Sequence, residues 1–126
     1  METKKINILH EENKQWQNDL LFYKDELKIM KNRLAEIAAK NTSKDLLARV
    51  EHFQNQFIIQ TSAIDNLAHE INLNNDAINR EILKNEVAVD HRSMPDHVTI
   101  RENIAYFTHN MSGLKMEFNT FLSKWM

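Results

Sequence analysis

Six histidines, His10, His52, His69, His91, His97 and His109, are the side chains in this sequence best suited to chemistry. Helical bundles that hold metal ions use inward carboxylates and Glu-x-x-His pairs, because residues three apart on a helix converge on one ion. Here the acids stand next to the histidines instead, as Glu51-His52, His69-Glu70, Asp90-His91 and Asp96-His97. Adjacent residues diverge by about 100° around a helix and cannot share an ion. No His-x-x-x-His or Glu-x-x-His occurs, and His10-Glu11 lacks a second histidine at metalloprotease spacing. Asp65 and His69 are four apart, but on a face that the apolar pattern turns outward. No nucleophile elbow, phosphate loop or triad is present. The expectation is therefore a chain that is not an enzyme, with no catalytic residue, no metal ligand and no cofactor.

Other polar groups carry weaker signals. Asn13, Gln60 and Asn74 interrupt stripes of apolar residues, and a polar residue in such a stripe specifies register at some cost in stability. His91 and His97 flank a candidate turn, where they read as turn polarity in preference to a pH-sensitive hinge. Lys24, Lys28 and Lys31 form a basic row beside Asp25, Glu26 and Arg33, a mixture expected of a solvated helix face. Phe118, Phe121, Leu122, Trp125 and Met126 at the carboxyl end fit core packing better than contact with a membrane surface.

The elements that must position these groups are helices. One Gly, one Pro and no Cys stand among 126 residues. A length of this order suits a single domain, 1–126, with one core. A net charge of −2 gives no general attraction to nucleic acid or anionic lipid. The absence of cysteine excludes disulfides and thiolate metal sites. No apolar run reaches the length of a membrane span, and the chain reads as cytoplasmic.

Apolar residues recur at alternating steps of three and four, as in a coiled coil. The first series runs Ile6, Leu9, Asn13, Trp16, Leu20, Tyr23, Leu27, Met30, Leu34, Ile37. The second runs Leu46, Val50, Phe53, Phe57, Gln60, Ile64, Leu67, Ile71, Asn74, Ile78. The third runs His97, Ile100, Ile104, Phe107, Met111, Leu114, Phe118, Phe121, Trp125. Such stripes specify helices packed side by side at shallow angles. Thr42 with Asp45, and Ser93 with Pro95, supply the punctuation. The expectation is an all-α antiparallel bundle of three long helices, about 5–40, 43–89 and 95–125. A fourth helix arises if the second breaks within the Asn-rich 72–76 stretch; the low cost of Asn in a helix favours continuity.

These unequal lengths predict a stagger in which all three helices overlap only near 63–78. The uncovered arm then exposes Phe22, Ile29, Ile58 and Ile59, which either the third helix or a second copy of the chain would cover. Gly113 falls inside the third helix at a cost of about 1 kcal/mol relative to Ala, a cost that close approach of another helix would justify.

The stretches His52-Phe53-Gln54-Asn55-Gln56-Phe57-Ile58-Ile59 and Phe121-Leu122-Ser123-Lys124-Trp125-Met126 resemble those of short, functionally uncharacterised bacterial helical proteins. The resemblance implies a long-helix bundle in a bacterial cytosol and carries no site residues. The functional expectation is a protein–protein interaction bundle, a homodimer or the binder of a helical partner, without nucleic acid. Its alternatives are a bundle holding a metal or small ligand near His10, Asn13 and Asn74, and a peripheral membrane adaptor.

Overall fold

A computed structural model describes the backbone of residues 2–84 and 86–125 and the side chains of residues 8–80 and 96–125. Helix α1 spans Glu2–Lys40, α2 spans Lys44–Lys84 and α3 spans Glu86–Trp125. The first turn is closed by Ser43, whose Oγ accepts the Leu46 amide at 3.2 Å. It thus satisfies one of the donors left over at a helix start. The cap falls one residue after the expected Thr42. The Asn41 amide donates to the Ile37 carbonyl at 3.2 Å and closes the end of α1.

The second boundary differs more. The expected helices 43–89 and 95–125 are instead Lys44–Lys84 and Glu86–Trp125, and the expected turn at 90–96 is helix. Ser93 and Pro95 are local signals, and a proline inside a helix costs about 3 kcal/mol. Packing along a 40-residue helix can outweigh one such cost. Helix α2 passes unbroken through Asn72-Leu73-Asn74-Asn75-Asp76, as its lack of Gly and Pro favoured. The helices have 39, 41 and 40 residues, so the predicted stagger does not arise.

Side-chain contacts fix the register. Asn13 meets Asn74, and Asn74 meets His97. Tyr23 meets Phe107, and Phe53 meets Phe118. Helix α2 is therefore antiparallel to both neighbours, and α1 runs parallel to α3. Layers follow from this register, including Trp16/Ile71/Ile100, Leu20/Leu67/Ile104, Leu27/Gln60/Met111 and Leu34/Phe53/Phe118. Every described residue of the three stripes is buried, except Tyr23 and Trp125, which are half-buried against the core.

Four phenylalanines fill one end. Phe53 lies 5.1 Å from Phe118 and 5.0 Å from Phe121 between ring centres, and Phe57 lies 5.4 Å from Phe118. The Phe53–Phe118 and Phe57–Phe118 pairs meet edge to face, the arrangement the ring quadrupoles favour. Of the residues considered for membrane contact, Phe118 and Phe121 are buried and Leu122 and Trp125 pack on the core, while Met126 lies outside the described residues. Among the described residues no helix is long and apolar enough to cross a membrane.

Candidate functional site

The other end of the bundle carries a polar layer. Asn13 and His97 have no exposed surface and Asn74 only 4%. Each comes from a different helix. Asn13 Nδ2 donates to Asn74 Oδ1 at 3.2 Å and to Asn75 Oδ1 at 2.6 Å. His97 Nδ1 lies 3.0 Å from Asn74 Oδ1, and its Nε2 lies 3.1 Å from Glu12 Oε1. Arg101 clamps the same carboxylate through Nε at 3.0 Å and Nη2 at 2.5 Å. His10 Nδ1 extends the chain to Asn75 Oδ1 at 3.3 Å. The Trp16 ring, 4.9 Å from the imidazole, closes the layer toward the apolar core.

Sequence places these groups economically. Asn13, Asn74 and His97 occupy stripe positions, so the register brings them to one level. Glu12 and Arg101 occupy the positions beside the stripe where parallel helices exchange ion pairs. Glu26 and Lys115 repeat that arrangement two heptads along, at 2.8 Å.

The electrostatics oppose one another across the imidazole. Burial pushes His97 below its ordinary value, because a charged ring in this layer loses hydration; the Glu12 carboxylate pulls the other way. Glu12 itself is lowered, chiefly by its Arg101 hydrogen bond, with burial opposing. Arg101 is raised by the same bond. A neutral imidazole donates through one nitrogen only. Both atoms facing His97 are acceptors, so both contacts are hydrogen bonds only for the imidazolium. For the neutral ring, the charged Glu12 holds the Nε2 proton. A half-turn of the Asn74 amide then presents its Nδ2 to the bare Nδ1. The same half-turn calls for one at Asn13, whose Oδ1 is buried without a partner in the arrangement described. The layer can therefore couple one proton to the orientation of a row of amides.

Of the polar residues singled out from sequence, Asn13 and Asn74 come together. Gln60 is buried but two heptads away, about 21 Å along α2. His97, Glu12, Arg101 and Asn75 were missed as a group. The signal was present in the stripe that begins at His97, but the neighbouring Pro95 suggested a turn. His69 and His109 face outward, and His52 pairs with Glu117. The side chain of His91 lies outside the described residues. Among the described residues no group of three His, Cys, Asp or Glu could hold a metal ion.

Phe22, Ile29, Ile58 and Ile59 are all more than half exposed, at 57, 58, 64 and 54%. Helix α3 runs the length of the bundle without covering them. They do not share one groove. Ile58 borders the α1–α2 groove together with Lys24, Lys28 and Lys31. Phe22 and Ile29 lie beside Glu26, which faces Lys115 of α3. Ile59, one residue past Ile58, is turned by about 100° toward the other side of α2. No protein family, no curated protein and no solved structure matches this chain.

Proposed function

We propose that this chain is a non-enzymatic interaction module that self-associates through the outer face of α3. The supporting observation is Gly113, which is solvent-exposed in mid-helix with nothing within 4 Å of the space a Cβ would occupy. Glycine there weakens the helix by about 1 kcal/mol relative to Ala. No neighbour inside the bundle requires it, so the close approach that justifies it comes from outside.

The surroundings of Gly113 suit a second copy. From Ala105 to Ser123 the exposed positions of α3 are Ala105, Tyr106, His109, Ser112, Gly113, Met116, Glu117, Asn119, Thr120 and Ser123. The single acid among them, Glu117, is turned toward α2, where it pairs with His52 and Arg49, and no lysine or arginine is present among them. Tyr106 and Met116 are 71% and 70% exposed. Antiparallel pairing of two such helices about Ser112 and Gly113 sets Tyr106 over Asn119 and His109 over Met116 of the second copy. Small residues then lie at the crossing with larger ones on either side. The contact is self-complementary and closes as a two-fold dimer.

Sedimentation equilibrium across a concentration series tests this reading. A dimer is expected, and Tyr106→Glu with Met116→Glu should return it to monomer without unfolding it. A strict monomer at millimolar concentration would refute self-association.

A further inference from the structure

We infer that the groove between α1 and α2, on the side away from α3, is a docking site for an acidic amphipathic helix from another protein. The groove has a volume of about 680 Å³. Leu27 and Phe57 form its floor, and Ile58, 64% exposed, forms an apolar lip. Its two walls differ in charge. Lys24, Lys28 and Lys31, with Asp25 among them, line the α1 side and leave it net positive. The α2 side contributes amides and hydroxyls, and no acid, lysine or arginine occurs between Phe53 and Ile64.

Lys24 is held by Asp65 at 3.3 Å. Among the described residues, Lys28 and Lys31 have no ion-pair partner. Two unpaired cations along one edge of an apolar floor, opposite a neutral wall, select the occupant. It needs an apolar stripe to cover Leu27, Phe57 and Ile58, and carboxylates on the single flank that passes over Lys28 and Lys31. A helix laid in a groove between two helices supplies both at steps of three and four. The α1 wall runs from Lys24 to Lys31, about two helical turns, so a short segment suffices. This face is distinct from the outer face of α3, so docking here and self-association are independent.

The test is fluorescence anisotropy of the full chain with a labelled synthetic helix of about four turns, bearing a leucine stripe and glutamates along one flank. Controls are a scrambled peptide of the same composition and a version with lysines in place of the glutamates. The amphipathic acidic peptide should bind more tightly than either control and weaken with added salt. Lys28→Glu with Lys31→Glu should reduce its affinity by about tenfold or more and transfer preference to the lysine version. Both altered lysines are exposed, so unchanged circular dichroism is expected of the double variant. Tyr106→Glu should leave peptide binding intact, which separates this site from the α3 face. Equal binding of the scrambled peptide, or insensitivity to charge reversal, would overturn the proposal. So would saturable, lysine-dependent binding of dodecanoate without binding of the peptide, which would assign the groove to a small anionic amphiphile.

Discussion

The two ends of this bundle solve the same packing problem with different physics. At one end Phe53, Phe57, Phe118 and Phe121 interlock. Their cohesion comes from apolar area and ring geometry, is not directional in the manner of a hydrogen bond, and does not depend on pH. At the other end Asn13, Asn74 and His97 meet through hydrogen bonds, with Glu12 and Arg101 closing the edge. Buried polar groups contribute little net stability, but leaving them unpaired costs much more. The aromatic end therefore holds the bundle together, whereas the polar end fixes which residues face one another.

The largest expected effect comes from removing residues 121–126, which deletes buried Phe121 and the Trp125 contact. Losing one buried Phe side chain alone costs about 3–5 kcal/mol, and the truncated chain should melt far below the parent. Phe53→Ala should cost a similar 3–5 kcal/mol in urea unfolding, with no change in how stability varies with pH. An effect confined to the polar end would contradict the division of labour.

Next in size is the pH dependence. His97 is lowered in the folded state, so below its unfolded value of about 6.5 the unfolded chain binds more protons than the folded one. Stability should fall as pH drops through that value. Glu12, also lowered, adds a second loss as pH falls through its unfolded value of about 4.3. His97→Gln should flatten the first phase and leave the second, as measured by urea midpoints from pH 8 to 2.5. A first phase that survives in His97→Gln would assign it elsewhere.

Asn13→Leu removes the donor to Asn74 Oδ1 and Asn75 Oδ1 and leaves those amides short of a partner, so it should lower stability by about 1–3 kcal/mol while loosening the register of α1. Disulfide trapping between cysteines introduced at neighbouring levels would read the register. A single trapped register in the variant would count against this role. The smallest effect is Gly113→Ala, expected to stabilise the monomer by up to about 1 kcal/mol and to weaken the dimer.

The stripes were legible from sequence because a period of 3.5 is a global signal that many residues repeat. The same repetition marked Asn13, Gln60 and Asn74 as polar residues at stripe positions. The boundary between α2 and α3 was not legible, because Ser93 and Pro95 carry strong local preferences that tertiary packing overrode. The error propagated: a shorter α3 implied an uncovered arm, and the arm implied that Phe22, Ile29, Ile58 and Ile59 formed one patch. His97 was lost for the same reason, since a histidine beside a proline reads as turn polarity until the helix is known to continue. Glu12 and Arg101 lie too far apart in sequence for any local pattern to join them. Only the parallel alignment of α1 and α3 brings them together.

In the proposed dimer the exposed glycine at 113 would link folding to abundance. A helix weakened in every isolated copy would be stabilised only when a second copy binds, and mass action would then make the melting temperature rise with protein concentration. On this reading dilution would act as a mild denaturant, and a cell holding few copies would contain a softer protein than one holding many.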